Sequence, residues 1–541
     1  MLEESNIMKK DDLEADLYTI VTVEQMRRLE QEADQQGLTY AQMMQNAGLG
    51  AGEKIYQRWK KEEFHAALGL IGSGNNGGDT LVALTFLQKQ GWLTRAYMLK
   101  DHDPQDELVQ NYLRAGGTLC FHSQDEHLKQ LDAAVQQADI LLDGILGTGI
   151  RLPLHGVVKQ VLSHLKEKDN LPYCIALDCP SGVDCDLGQA DEDTLHADWT
   201  ICMAAVKQGM LCFPAFEYIG ELDVVDIALP VELQGWRGIS DYCVEQSAVR
   251  SILPRRSMQA HKGTFGTALL FAGSQNYPGA AYLAGQAAYR SGTGLVQIAT
   301  IPSVQHMLAG TLPEATWVFL NETQAGFTAN ADCEIERLLT RASSILIGPG
   351  WGSGRDTLAF YQDLLKTLKN VENCRVNGVV LDADGLNLLC EIPDFKDTLP
   401  ANTILTPHPG EMARLTGKTI QEIQSDRISI VRSAAVDWKC VVVLKGALTV
   451  IADPGGQVAK IPIATPALAT AGSGDVLAGM LSGLLAQGVK PFDAACGAAW
   501  MHARAGVLAE KHIGHAACVM ARDVINAIAG VLRELNERAG C

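Results

Sequence analysis

Between Thr19 and about Pro230, short apolar runs alternate with stretches of helical spacing. Residues 23–51 place apolar side chains at helical intervals, first Met26, Leu29 and Ala33 and then Met43, Met44 and Ala47. Apolar runs at 66–71, 140–142 and 174–177 each end in Gly or Asp, and helical segments such as 79–89 lie between them. This alternation predicts a parallel sheet covered by helices on both faces. Groups that follow the strands then fall at the carboxyl edge of the sheet, where open α/β folds bind ligands. After a linker around 234–251 a second series begins. Its strand candidates are 267–271, 295–300, 344–347, 379–381, 403–405 and 441–444, with helices such as 280–289 and 476–485 between them. The pattern is again α/β, with no internal repeat and no low-complexity tract.

A chain of 541 residues, at roughly 150 per domain, fits two to four domains. With 47% hydrophobic and 20% charged residues it is ordinary for a globular protein, which argues against disorder, collagen and coiled coil. The net charge of -19 is unevenly placed. Residues 1–240 carry 37 acidic and 19 basic side chains, whereas 241–541 carry 26 and 25. Two separately evolved halves would give this asymmetry, and so would an acidic surface that aids solubility. Neither half offers the basic face of a nucleic-acid binder. The 14 cysteines include no C-x-x-C pair, so they read as small buried hydrophobes of a reducing compartment. Residues 1–18 form an acidic tail without a signal peptide's apolar segment, and no run approaches the roughly 18 apolar residues of a membrane helix. A cytoplasmic protein without membrane partners is expected.

Several strand ends carry candidate chemistry. Gly72-Ser73-Gly74-Asn75-Asn76-Gly77-Gly78-Asp79 satisfies G-x-G-x-x-G and opens a helix, with Asp101 at a distance suited to a ribose contact. That pattern alone fits a dehydrogenase or a simple tight turn. Asn75, Asn76 and Asp79 beside free backbone N–H groups favour a ligand cradle, and an amide carbonyl is a good donor to a hard cation. Asp143 precedes the glycine-rich Gly144 to Gly149, and Asp178-Cys179-Pro180-Ser181 ends the next strand. One such Asp is usually a cap. Asn76, Asp143, Asp178 and Ser181 at one sheet edge predict an oxygen-lined site for a cation and a phosphate-bearing ligand.

In the second half Thr470-Ala471-Gly472-Ser473-Gly474-Asp475 leads into an apolar helix. Small residues there point N–H groups at an anion with help from the helix dipole, and Asp475 puts a carboxylate beside it, as a general acid or base requires. Lys445 to Thr449 offers a cation and a tight turn for a nucleotide phosphate, or an ordinary hairpin. His408 stands between Pro407 and Pro409, which suggests a positioned ring. Gly348-Pro349-Gly350-Trp351-Gly352 is a further glycine-rich strand end. Gly417-Lys418-Thr419 does not complete a P-loop, and neither G-x-S-x-G nor H-E-x-x-H occurs.

Taken in order, NNGGD, LGTG, DCPSG, HKGTFG, GPG, TPHPGE, KGA and GSGD resemble the bacterial bifunctional NAD(P)H-hydrate repair family over nearly the whole chain. The resemblance implies a Rossmann-like three-layer epimerase domain at 19–236 and a ribokinase-like α/β dehydratase domain at 245–541. It implies interconversion of R and S hydrates of NADH and NADPH, then ADP-dependent dehydration of the S form with release of AMP and phosphate. The family's epimerase substrate site maps to Asn75, Asn76, Gly77, Gly78, Asp79, to Gly147, Thr148, Gly149, Ile150, Arg151, Leu152, Pro153, and to Asp178. Asn76, Asp143 and Ser181 would hold potassium, and Asp178 is also a candidate acid–base group. In the dehydratase, Ala280, Gly350, Gly352 and His408 would line the hydrate site, with Asp475 as the catalytic carboxylate. Lys445, Gly446, Ala447, Leu448, Thr449 and Gly474 would hold ADP, which brings magnesium. The family commonly forms homo-oligomers. Lys207 is a weaker candidate, since a lysine at a strand end is usually solvated. Two departures stand out: Thr80 replaces the Gly of NNGGDG, and residues 464–469 lack the usual glycine and asparagine. A ribokinase-like small-molecule kinase with a non-catalytic N-terminal binding module is the alternative, and a dehydrogenase ranks last.

Overall fold

The computed structural model describes residues 17–61, 65–100, 105–324, 327–328, 335–371 and 376–536. Most of the acidic tail, 1–16, lies outside them. The chain divides into two compact units, one spanning Tyr18–Asp241 and one containing Tyr242 onwards.

In the first unit seven strands form one parallel sheet: β1 (Ala66–Ile71), β2 (Leu93–Met98), β3 (Thr118–Phe121), β4 (Ile140–Gly144), β5 (Tyr173–Leu177), β6 (Trp199–Met203) and β7 (Glu221–Val225), in the order β3-β2-β1-β4-β5-β6-β7. Alternation within each strand builds the three layers. Ala67 and Ile71 join the core beneath helices α1 (Val23–Gln35), α2 (Tyr40–Trp59) and α3 (Asn75–Lys89), whereas Leu68 and Leu70 face the helices of the other side. The order reverses between β1 and β4, and ligands of such folds bind at that switch point. The helical pattern read over residues 23–51 is in fact two helices. Gly37 takes φ +103°, and the Thr39 hydroxyl then accepts from the Gln42 N–H to start α2.

Close approach of backbone fixes the loop after β1. Thr80 is fully buried, and its hydroxyl donates to the Asn76 carbonyl at 2.7 Å. It lies under α3 against Gly69 and Gly144, away from the cleft described below. A Cβ on Gly144 would overlap the Thr80 hydroxyl. Gly144→Ala should therefore lower stability by about 1–3 kcal/mol, the usual cost of overpacking, read as an earlier thermal transition of the N-terminal unit.

The second unit holds a nine-stranded run: β8 (Thr267–Phe271), β9 (Leu295–Thr300), β10 (Thr316–Phe319), β11 (Ser344–Ile347), β12 (Gly378–Leu381), β13 (Thr403–Leu405), β14 (Val441–Leu444), β15 (Val450–Ala452) and β16 (Val458–Lys460). The order is β10-β9-β8-β11-β12-β13-β14-β15-β16, parallel up to β14 and antiparallel beyond. Ala268 and Leu270 face helices α4 (Pro278–Arg290), α5 (Ser473–Ala486), α6 (Pro491–Ile513) and α7 (Ala521–Asn536), while Leu269 and Phe271 face the opposite layer. Among the described residues no helix is long and apolar enough to cross a membrane.

Candidate functional sites

At the carboxyl edge of the first sheet lies a cleft of about 930 Å³. The loop after β1 supplies Gly72 to Asn76 and Asp79, the loop after β4 supplies Gly147 to Gly149, and Asp178, Met203 and Lys207 close the floor. Helix α1 forms a further wall with Met26, Arg27, Glu30 and Gln31. Gly77 and Gly78 sit in the first turn of α3 but are not lining residues, and Ile150 to Pro153 fall between the lining segments 147–149 and 155–158.

Lys207 is not solvated. It is 1% exposed, pairs with Asp178 and donates to the Met203 carbonyl at 3.0 Å. A lysine stem at a strand end normally reaches water, but here the chain after β6 folds the ammonium inward onto a carboxylate. Burial alone would lower its pKa, yet the Asp178 charge prevails and holds it above the usual lysine range. Asp178 itself turns the chain with φ +63° and accepts the Met203 N–H at 3.2 Å.

Behind the cleft is a knot of oxygen ligands. Asp143, 1% exposed, accepts from the Ser181 hydroxyl at 2.5 Å and the Ser181 N–H at 2.7 Å. Burial raises its pKa against the pull of those bonds. The Asn76 amide nitrogen donates to the Leu146 carbonyl at 2.9 Å, while its Oδ1 is buried with no hydrogen-bond partner. An orphaned amide oxygen near a buried carboxylate fits a hard cation.

The second unit carries a cleft of about 670 Å³ at its own carboxyl edge. Its walls are residues 276–280 at the start of α4, with Leu283, Phe327, Gly350, Gly352, Ser353, Asp384, Ala471, Gly472 and Asp475. Gly350, at φ +60°, has no room for a Cβ, which would meet Ala280. Gly472, at φ +86°, turns the chain into α5 and leaves Asp475 in the first helical turn. The altered stretch before it is tied down: Thr465 accepts from the Ala467 N–H at 3.1 Å and donates to Glu510 at 2.6 Å, and the Ser473 hydroxyl holds the Leu468 carbonyl at 2.9 Å. Burial, with help from Asp382, pushes the Asp475 carboxyl up to about 7, against the pull of Lys445.

Lys445 follows β14 and reaches across to Asp382, at 2.6 Å, with Glu411 at 3.7 Å. Thr406 donates to the same Asp382 oxygen at 2.8 Å. Gly474 faces this ammonium without a side chain between them: a Cβ there would lie 3.7 Å from Nζ. Gly446 to Thr449 form the turn joining β14 to the antiparallel β15, with Leu448 at φ +54° and the Thr449 hydroxyl donating to Gly446 at 3.0 Å. His408 caps the helix Pro409–Thr416. Its Nδ1 accepts the Gly410 N–H at 2.9 Å, while Glu411 accepts the His408 N–H at 2.7 Å. That bond fixes the ring with its lone pair on Nδ1, and it is not a lining residue of the cleft. Burial and the nearby Lys445 lower its pKa.

The sequence reading missed Glu30, Asp382 and Asp384. Asp384 lines the second cleft and accepts the Gly352 N–H at 2.7 Å. Both aspartates follow an apolar run at 379–381, the same signal that singled out Asp143 and Asp178.

Comparison with known proteins matches both halves of the chain to described families. Residues 40–209 match the family described as YjeF-related protein N-terminus, and 268–529 match NAD(P)H-hydrate dehydratase. The bifunctional NAD(P)H-hydrate repair enzyme of Moorella thermoacetica is 35% identical over 526 residues, covering 96% of this chain and 97% of its own. The chain belongs to the bifunctional NAD(P)H-hydrate repair family. Its Escherichia coli member is 32% identical over 509 residues, covering 91% of this chain and 90% of its own. Among solved structures, the ADP/ATP-dependent NAD(P)H-hydrate dehydratase of Bacillus subtilis, co-crystallised with ATP and Mg2+, is 33% identical with a TM-score of 0.45. It covers 54% of this chain and 98% of that one.

Proposed function

We propose that the N-terminal unit interconverts the R and S hydrates of NADH and NADPH, and that the C-terminal unit dehydrates the S form at the expense of ADP. The observation that carries this reading is the Asp475 carboxylate, seated beside an anion-binding helix start and facing Lys445 across Gly474.

Hydroxide is a poor leaving group and phosphate a good one. Asp475 takes the proton of the C6 hydroxyl as that oxygen attacks the β-phosphorus of ADP, and AMP leaves. The ring nitrogen then expels phosphate from C6, and loss of a C5 proton restores the dihydronicotinamide. Such transfer depends on positioning and charge stabilisation. The bare N–H groups of Ser473 and Gly474 and the Lys445 ammonium provide both. Gly446 to Thr449 hold the nucleotide beside Lys445, while Ala280, Gly350 and Gly352 shape the ring pocket. His408 acts from its cap position, with Nε2 3.5 Å from the Glu411 carboxylate. Asp384 in the same cleft would help hold magnesium brought by ADP, which would neutralise phosphate charge.

In the epimerase cleft Asn75 to Asp79 and the loop 147–153 take the substrate, and Asp178 serves in acid–base transfer. Asn76, Asp143 and Ser181 would hold potassium. Potassium held there would supply a fixed positive charge beside the substrate loops.

The test uses mixed R and S NADPH hydrates with ADP, magnesium and potassium, following recovery of the reduced-nicotinamide absorbance. Complete recovery that requires ADP is expected, with the slow second phase accelerated by potassium over sodium. A plateau once the S form is spent would remove the epimerase half. A stable phosphorylated product would make the chain a kinase instead.

A further inference from the structure

Three carboxyl groups and one lysine meet in the epimerase cleft: Glu30, Asp79, Asp178 and Lys207. We propose that Glu30 is the proton donor of the epimerisation, delivering a proton to ring nitrogen N1 while Asp178 takes the proton of the C6 hydroxyl. This assignment rests on the epimerase reading above.

The chemistry demands two such groups. C6 of the hydrate bears both a hydroxyl and N1, so its configuration is lost if the C6–N1 bond opens. The hydroxyl proton passes to a base and C6=O forms. The C6–N1 electron pair moves to nitrogen, which takes a proton from an acid. Rotation about C5–C6 turns the other face of the aldehyde to N1. Re-attack returns the N1 proton to the donor and the base proton to oxygen, so no atom or electron is gained or lost.

The cleft separates the two roles. Of the three carboxyls, Asp178 alone is ion-paired among the described residues, with an ammonium that is itself 1% exposed. Glu30 and Asp79 line the same space, and neither side chain makes a hydrogen bond or ion pair among the described residues. Asp178 and Glu30 reach the same cleft from different elements, the loop after β5 and helix α1. Asp79 is buried at the start of α3, 8% exposed, whereas Glu30 is the more open of the two.

Helix α1 is held firmly enough to aim a donor. Met26, Leu29 and Ala33 are in the core, which turns Arg27 and Glu30 to the cleft. Thr22 and Gln25 form a reciprocal cap, the Val23 N–H donates to Asp186 at 2.8 Å, and Glu32 accepts the Gly235 N–H at 2.8 Å. The charged and titratable groups around Glu30 are Arg27 on its own helix, Asp79 on α3, Asp178 and Lys207 on the floor, and Tyr40 at the start of α2. Burial, then the Asp178 charge, raises Glu30, against Lys207 and Arg27. A carboxyl raised by burial and by a neighbouring carboxylate suits the role of proton donor.

Epimerisation is followed in Glu30→Gln with pure R hydrate, after subtraction of the uncatalysed rate, while ADP-dependent dehydration of pure S hydrate by the same sample reports folding. The expected result is a kcat for epimerisation lower by roughly 10²–10⁴-fold, KM little changed, the alkaline limb of the wild-type pH profile gone and dehydration intact. In Glu30→Ala, acetic acid should restore part of the lost rate. Wild-type kcat in Glu30→Gln, a loss confined to KM, an unaltered alkaline limb, or no acetic acid rescue would each overturn the assignment. Wild-type protein that fails to interconvert the hydrates would overturn the epimerase reading itself, a result visible before any variant is made.

Discussion

Asp475→Asn should abolish recovery of NADPH from its S hydrate while leaving interconversion of R and S forms intact. Asparagine keeps the shape and the helix-start position but cannot accept the hydroxyl proton. General-base loss typically costs roughly 10²–10⁴-fold, and here it should appear in kcat, with the KM for ADP little changed. The wild-type pH profile provides a second check. With the carboxyl held at about 7 by burial and by Asp382, the base is protonated below that pH. In free enzyme kcat/KM should then fall roughly tenfold per unit of acidification and level off above about 7. Asp382→Asn removes a neighbouring negative charge and should move that inflection to lower pH. An inflection that stays in place would mean the limb belongs to another group.

Asp178→Ala should have the largest effect on stability. It leaves the Lys207 ammonium buried with only the Met203 carbonyl as acceptor. Breaking a buried pair from one side costs about 3–5 kcal/mol, enough to lower the thermal transition of the N-terminal unit substantially. The pH dependence has a definite sign. Without Asp178, burial depresses the folded-state pKa of Lys207, so folding must strip a proton that the unfolded chain keeps. The penalty is therefore full at low pH and shrinks as pH rises towards the ordinary lysine value. Lys207→Met added to Asp178→Ala should recover much of the stability and none of the epimerisation. Failure of that rescue would show that the ion pair is not what holds the floor of the cleft together.

Central strands were the most legible part of the fold. Strands buried on both faces read as unbroken apolar runs, as at 66–71 and, after a first polar residue, at 267–271 and 344–347. β7 escaped because it is an edge strand: Glu221 and Asp223 look like loop residues but pair with Arg58 at 2.7 Å and Lys54 at 2.9 Å. β15 and β16, three residues each, are too short to show a period. Glycine and oxygen-rich strand ends marked both clefts, since turn chemistry is local. Asp382 and Asp384 obeyed the same rule and were passed over. Glu30 could not be found that way. A polar residue flanking the Met26, Leu29 and Ala33 stripe looks like the edge of any solvated helix face, and only the tertiary placement of α1 brings it to a cleft. Lys207 failed for the converse reason: its ordinary preference for water is overruled by a carboxylate 29 residues earlier in the chain.

The contact between Thr80 and Gly144 has a bearing on how this domain can vary. Helix and strand meet there across a gap that holds one β-branched side chain, and nothing in either segment alone reveals the limit. A hydroxyl-bearing residue on the helix is tolerated because the opposing strand residue has no Cβ. The constraint thus acts on the summed volume of two positions 64 apart in sequence, not on the helix motif by itself. The Thr that breaks the NNGGDG signature is accordingly accommodated by the absence of a Cβ at Gly144, where α3 meets β4.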